Sequence, residues 1–316
     1  MMIENIYEKA LGGELISSAE FFELIDGDLA VVTDYAQKLR DGFTGRAVKT
    51  CSIINARSGL CSEDCVFCAQ SAHYGTKAPV FPFIDLAKIK EAAIRTKELG
   101  VERFSIVSSG LGPDDEEFRK IKAAVELVKS IGLQTDISVG CLTYEQLIEL
   151  KGAGLDSYHH NLETSESFFP NICTTHEYSD DVNAVKEALR AGIDVCCGGI
   201  FGIGEKWEHR YELAVLLREL GVQSVPINFL NPVTGTPKEG TDILTEEEAM
   251  RIIAVYRFVL PDRILRVCGG RNAVFKSGGA EKVFSAGASG MMVGDYLTVK
   301  GPDLEEDMEF INRQHS

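Results

Sequence analysis

Residues 84–109 read Ile84-Asp-Leu-Ala-Lys-Ile-Lys-Glu-Ala-Ala-Ile-Arg-Thr-Lys-Glu-Leu-Gly100-Val-Glu-Arg-Phe-Ser-Ile-Val-Ser-Ser109, and their pattern decides the fold. Apolar positions recur at helical spacing over 84–99, Gly100 can end the helix at positive φ, and a β-rich run follows at once over 103–109. The same helix–Gly–strand joint recurs at Leu189-Arg-Ala-Gly-Ile193. Working outward, strands are expected over 48–54, 103–109, 133–140, 155–160, 193–200, 222–229, 264–269 and 289–294. Helices are expected between and after them over 84–99, 116–130, 143–153, 179–191, 207–220, 245–259 and 278–286. Eight βα units with right-handed crossovers close most simply as an α/β fold of the (β/α)8 TIM type. A doubly wound open sheet uses the same alternation and is the structural alternative. Ser18 can cap a helix from near Ala19, and helical spacing runs from Asp34 to Leu39, so residues 1–44 read as an N-terminal helical cap on one barrel domain over 45–316.

Composition narrows the function. With 45% hydrophobic and 25% charged residues and no low-complexity tract, the 316-residue chain reads as a soluble globular protein. Acidic residues outnumber basic ones 48 to 32, a net charge of −16 that repels nucleic-acid phosphates and anionic lipid alike. Nucleic-acid and membrane partners are therefore not expected. Residues 1–10 lack the basic start and apolar stretch of a signal peptide, which places the expected location in the cytoplasm. Nine cysteines, an odd number that includes the adjacent Cys196 and Cys197, suit metal or redox chemistry in a reducing compartment better than disulfides.

The chemistry concentrates in the loop after the first expected strand, Cys61-Ser-Glu-Asp-Cys65-Val-Phe-Cys68. Three thiols are one short of the four ligands that close a structural zinc or iron–sulfur site. Cys61, Cys65 and Cys68 with His73 would complete a zinc site; without His73 the triplet leaves a metal position open. The loop leads back into a long βα array, and later strands supply glycines and polar groups in numbers suited to a large cofactor. Gly198 to Glu205, which includes Gly202 and Ile203, lets backbone approach a flat ligand, though a tight packed turn uses glycines in the same way. Ser108 and Ser109 can serve a cofactor or a plain Ser/Gly turn.

The C-x3-C-x2-C spacing with Phe67 before the last cysteine resembles the signature of the radical S-adenosylmethionine superfamily. That resemblance implies a 4Fe–4S cluster on Cys61, Cys65 and Cys68 whose open iron chelates S-adenosylmethionine, with Phe67, Ser108, Ser109, Gly202 and Ile203 near the cofactor. Further stretches, among them Cys51-Ser-Ile-Ile-Asn-Ala-Arg, His159-His-Asn-Leu-Glu-Thr-Ser165, Pro226-Ile-Asn228, Gly269-Gly-Arg271 and Val293-Gly-Asp-Tyr-Leu297, resemble the biotin synthase family over about residues 40–300. By that resemblance, sulfur is inserted into dethiobiotin at the expense of two S-adenosylmethionine molecules. Asn161 and Glu163 match positions that hold the ribose hydroxyls, and Asn161 and Asn228 match those that bind the ureido ring; each Asn is also a plausible turn cap at a strand end. A flavodoxin or ferredoxin donor and a homodimer are implied as well.

One departure is visible. The familiar auxiliary 2Fe–2S cluster uses three Cys and one Arg, and the matching positions here hold Ser105, Asp136, Cys196 and Arg266. Hard oxygen ligands replace soft thiolates poorly on an iron–sulfide core. Cys51, Cys141, Cys196 and Cys268 fall on alternate expected strands, and alternate strands fill one layer of a barrel interior. They are expected to hold a religated auxiliary cluster, 4Fe–4S-like with an extra sulfide, beside Arg266. Cys197 reads as packing and Cys173 as a loop thiol. His159 stands where an Asn is usual, and Asp181 where many members have an Arg. The competing readings are a hydrogenase-maturation or methylornithine-type radical enzyme without sulfur insertion, and a zinc-stabilised binding protein.

Overall fold

Nine parallel strands build the core: β1 Lys49–Arg57, β2 Arg103–Ser108, β3 Gln134–Ser138, β4 Ser157–His159, β5 Asp194–Cys196, β6 Gly199–Phe201, β7 Ser224–Phe229, β8 Ile264–Val267 and β9 Gly290–Met292. The computed structural model describes residues 3–276, 279–294 and 304–314. Asp295 to Leu297 of the last family-like stretch lie outside the described residues, as does position 278, the first of the helix expected over 278–286. Sheet order is β5-β4-β3-β2-β1-β9-β8-β7-β6, and a β5–β7 pairing at Cys196 and Ser224 joins the ends. The sheet is a closed barrel, so the open doubly wound alternative is excluded.

Nine strands fill eight positions because the strand expected over 193–200 divides. Its neighbour β7 carries Pro226, which has no N–H for the ladder. Gly198 instead donates to Asn161 Oδ1 at 3.2 Å. A Cβ at Gly198 would lie 2.1 Å from the Pro226 carbonyl oxygen, so only glycine allows this approach. Pairing resumes with Gly199 opposite Ile227.

The described helices are α1 Ile3–Leu11, α2 Ser18–Asp26, α3 Leu29–Phe43, α4 Leu86–Glu98, α5 Asp115–Ile131, α6 Tyr144–Gly152, α7 Tyr178–Arg190, α8 Trp207–Leu220, α9 Glu246–Val259, α10 Arg271–Val274, α11 Gly279–Ser285 and α12 Leu304–Gln314. The αβ joint that opened the reading forms as expected: α4 ends at Glu98 with Leu99 as its C-cap, and Gly100 takes φ +80° before the chain turns into β2. Alternating burial is absent from β2, whose last five residues are all buried, because the strand has side chains inside the barrel and under the helices at once. Helices α1 to α3 lie on the outer ring. Phe21 packs on Tyr211 of α8, Arg251 of α9 donates to the Gly27 carbonyl at 2.8 Å, and Arg40 donates to the Phe284 carbonyl of α11 at 2.8 Å. None of the described helices is long and apolar enough to cross a membrane.

Candidate active site

The C-terminal ends of the strands open into a cavity of about 310 Å³. This is the face at which barrel enzymes place their chemistry. Phe67 and Cys68 from the β1–α4 loop reach one side, Asn161, Glu163 and Asn228 another, and Cys51, Cys196, Arg266 and Cys268 line its depth.

The cysteine loop is tied to itself and to the barrel. Cys61 N–H donates to the Gln70 carbonyl at 3.0 Å, and the Cys61 carbonyl accepts from Ala72 N–H at 2.8 Å. The Gln70 side chain accepts from Ser58 Oγ at 3.0 Å and from Gly59 N–H at 3.3 Å. Burial pushes the Cys68 thiol up to about 11, and Cys65 is raised by its hydrogen bond to Cys173 and then by burial. Burial raises these thiols as it does other buried cysteines, and positive charge from a bound metal centre would be needed to ionise them.

The zinc alternative fails on geometry. Ligands of a single zinc converge, with sulfurs about 2.3 Å from the ion. Among the described residues, Cys61, Cys65, Cys68 and His73 are not a group that meets within 4.8 Å, and exposed His73 turns Nε2 to the Ser62 carbonyl at 2.8 Å. Three half-buried thiols with no single meeting point suit a polynuclear centre better than a single ion.

Deeper in the barrel, Cys51 and Cys268 form a thiol pair packed on Met292 and Ile53, apart from the main apolar core. Their hydrogen bond, then Arg266 and Arg103, holds Cys51 down at about 6. Cys196 faces Ser224 Oγ at 3.4 Å, and Arg266 is anchored by donating to the Lys49 carbonyl at 2.7 Å. Ser105 and Asp136 share this cavity, 3.4 Å apart, with Arg103 3.6 Å from the carboxylate. Burial pushes Asp136 up, against the pull of Arg103.

Cys141 does not join them, a correction to the four-cysteine arrangement expected from alternation. β3 ends at Ser138, Gly140 takes φ +76°, and Cys141 N–H donates to the Leu111 carbonyl at 2.6 Å. Side-chain alternation holds only along a continuing strand, so counting from Asp136 fails past the bend. Cys141 lies instead beside His160 and Asp181.

The cavity wall leaves out two further sets of expected residues. Gly202 and Ile203 do not line the cavity; their N–H groups donate to the Glu205 carboxylate at 3.0 and 2.9 Å, and Ile203 is wholly buried. Ile200 lines the cavity in their place. Ser108 and Ser109 are also absent from its wall, and Ser109 Oγ donates to the Gly59 carbonyl at 2.8 Å, knitting the cysteine loop to β2.

Asn161 and Asn228 do line the cavity while bridging strand ends. Asn228 donates to the Gly199 carbonyl at 3.1 Å and accepts from Gly269 N–H at 2.9 Å. Each amide keeps one further hydrogen and lone pair for a ligand. Glu163 has φ +62°, uncommon for a residue with a side chain, and burial raises its carboxyl to about 7. Sequence reasoning missed the chain of contacts behind this wall, Tyr158–His160–Asp181–His176–Glu63, because its members are scattered over more than 100 residues.

A parallel barrel carrying an open three-cysteine loop at its mouth defines a radical S-adenosylmethionine enzyme, and residues 57–217 match the Radical SAM superfamily. Residues 226–315 match the Biotin and Thiamin Synthesis associated domain. Within that class the chain belongs to the biotin synthase family. It is 44% identical over 303 residues to biotin synthase of Thermodesulfovibrio yellowstonii, covering 94% of this chain and 95% of the relative. It is 47% identical over 270 residues to that of Pelotomaculum thermopropionicum, covering 85% and 84%. Methylornithine synthase shares the fold at a TM-score of 0.85 and 19% identity, covering 98% of this chain and 96% of that one. The FeFe-hydrogenase maturase HydG from Carboxydothermus hydrogenoformans does so at 0.81 and 17%, covering 99% and 78%. These structural likenesses show the fold, while the sequence relationship selects the family over the maturase-type reading. A 4Fe–4S cluster and S-adenosylmethionine are the cofactors of this class.

Proposed function

We propose that this chain forms biotin by inserting sulfur into dethiobiotin. The observation that carries the reading is one cavity lined at once by Cys68 of the open loop, by Cys51, Cys196 and Cys268, and by Asn161 and Asn228. Cys61, Cys65 and Cys68 hold the 4Fe–4S cluster, and Cys51, Cys196 and Cys268 beside Arg266 hold an auxiliary iron–sulfur cluster, 4Fe–4S-like with an extra sulfide. When bound, the first cluster and S-adenosylmethionine supply the radical that takes hydrogen from the substrate, and the auxiliary cluster supplies sulfur. Phe67 walls the cofactor, Glu163 and Asn161 receive its ribose hydroxyls, and Asn161 and Asn228 read the ureido ring by donating and accepting at once. The buried walls keep water from the reacting carbons. The same reading takes residues 1–44 as an extension on one barrel domain over 45–316, and includes a flavodoxin or ferredoxin donor, a homodimer and a cytoplasmic location.

An anaerobic single turnover of the iron-loaded enzyme with dethiobiotin, S-adenosylmethionine and a reductant tests the proposal. Biotin and 5′-deoxyadenosine are expected together; deoxyadenosine without biotin would refute sulfur insertion.

Glu163 gives the binding step a pH dependence. Ribose hydroxyls donate, so the ionised carboxylate binds them, and protonation below about 7 removes the acceptor. S-adenosylmethionine affinity is expected to fall by up to about tenfold per pH unit below that point. Glu163→Gln should flatten the profile and weaken binding about tenfold at pH 8, through loss of a charge-assisted bond. Equilibrium dialysis of labelled cofactor measures both, and a flat wild-type profile from pH 6 to 8 would remove Glu163 from this role.

A further inference from the structure

We propose that the N-terminal end of the barrel is a second entrance, through which hydrosulfide reaches the auxiliary cluster by passing between Arg103 and Arg266. The proposal rests on the sulfur-insertion reading above. A cavity of about 460 Å³ opens at that end, and its wall includes the first residues of five strands, Lys49, Arg103, Gln134, Asp194 and Ile264. Gln134 and Asp194 are exposed, so this cavity communicates with solvent. Arg103 and Arg266 also line the active-site cavity, and they are the two residues common to both walls. Their side chains stand between solvent at one end and Cys51, Cys196 and Cys268 at the other.

Barrel interiors are ordinarily filled by layers of branched apolar side chains. Here the layer between the cavities is small and polar. Ser105 and Asp136 line the active-site cavity, Ser157 Oγ accepts from Arg103 Nη1 at 3.0 Å, and Ser224 Oγ meets Cys196 Sγ at 3.4 Å. Gly290 pairs with Arg266 across the ladder, and a Cβ there would lie 3.4 Å from Arg266 Cγ and 2.8 Å from the Lys49 carbonyl oxygen. Arg266 is fixed by its bond to that carbonyl at 2.7 Å. Arg103 is held lightly: besides Ser157 it meets Gln134 Oε1 at 3.4 Å and the Asp136 carboxylate at 3.6 Å, beyond hydrogen-bond length. Rotation of this long side chain toward solvent joins the two cavities.

The chemistry names the ligand. Each biotin formed takes a sulfide from the auxiliary cluster, and a replacement must arrive while cofactor and substrate occupy the mouth. A gap bounded by two guanidiniums draws a small anion even in a chain of net charge −16. The carboxylates at the opening do not cancel this field: Lys49 lies 3.3 Å from Glu102, Lys129 lies 2.7 Å from Asp156, and Asp194 is exposed to screening by salt. Entry forms an iron–sulfur bond and releases the hydrosulfide proton to solvent, with no change of oxidation state.

The test takes the iron-loaded enzyme through a single anaerobic turnover and removes small molecules by gel filtration. S-adenosylmethionine and dethiobiotin are added back without reductant to fill the mouth, then radiolabelled sodium sulfide, and label in acid-labile sulfide is followed with time. Label is expected to enter with the mouth filled. Gln134→Trp and Asp194→Trp plug the exposed opening and should each slow uptake about tenfold or more, since a packed opening leaves no water-sized path, with iron content and first-turnover biotin unchanged. Both positions begin a strand, where Trp is well tolerated, so the variants should fold. Uptake that requires an empty mouth, uptake at the wild-type rate in both plugged variants, or no uptake at all would overturn the proposal. Absence of biotin in the first turnover would instead refute sulfur insertion itself, and the entrance with it.

Discussion

Cys65→Ala is expected to abolish biotin formation and to lower 5′-deoxyadenosine production by more than about 1,000-fold, the loss that follows when the centre supplying the radical is removed. The variant should fold. The backbone around Cys65 is held by bonds that do not involve its thiol: Cys68 N–H donates to the Cys65 carbonyl at 2.9 Å, and Val66 N–H to the Ile172 carbonyl at 2.9 Å. Cys65→Ser keeps the shape but offers a hard oxygen, and should fare little better. Iron analysis of the reconstituted protein should show a loss of about four irons per chain, the content of one cubane cluster, with the auxiliary iron retained. Undiminished deoxyadenosine production by Cys65→Ala would sink the assignment of the loop.

Cys268→Ala is expected to separate the two halves of the chemistry. Biotin should fall by more than about 100-fold while deoxyadenosine continues to form, because the radical centre at the mouth is intact and only the sulfur donor is lost. Cys51→Ala should behave alike, since the two thiols are a hydrogen-bonded pair. Both variants should lose the auxiliary iron and keep that of Cys61, Cys65 and Cys68. Cys141→Ala is the control: its thiol points to His160 and Asp181, so iron content should not change. Biotin formation at wild-type levels in Cys268→Ala, or equal loss of auxiliary iron in Cys141→Ala, would reject the three-cysteine arrangement.

How much of this was legible in the chain depends on the range over which each feature is encoded. The βα alternation, the joint at Gly100 and the triplet at Cys61, Cys65 and Cys68 are local, set by side-chain periodicity and by one backbone angle that glycine accepts. Gly100 takes φ +80° as that reading requires. The family-like stretches were legible for the same reason, since each is a short run of chemistry kept together along the chain. The split of the strand over 193–200 was not, because its cause is Pro226 on a neighbouring strand.

The amino-acid sequence by itself therefore determined the barrel, the open cysteine loop and the family. Only the tertiary structure decided which distant groups meet. It brought Cys51, Cys196 and Cys268 to one cavity and sent Cys141 elsewhere, because β3 ends at Ser138 and parity carries no information beyond a bend. It showed the donors of Gly202 and Ile203 already taken by Glu205, a contact invisible to any motif. It also assembled Tyr158, His160, Asp181, His176 and Glu63 into one chain of charges and protons. Local spacing fixes what a segment forms; where its side chains arrive is fixed by strand ends, bends and neighbours that come together only when the barrel closes.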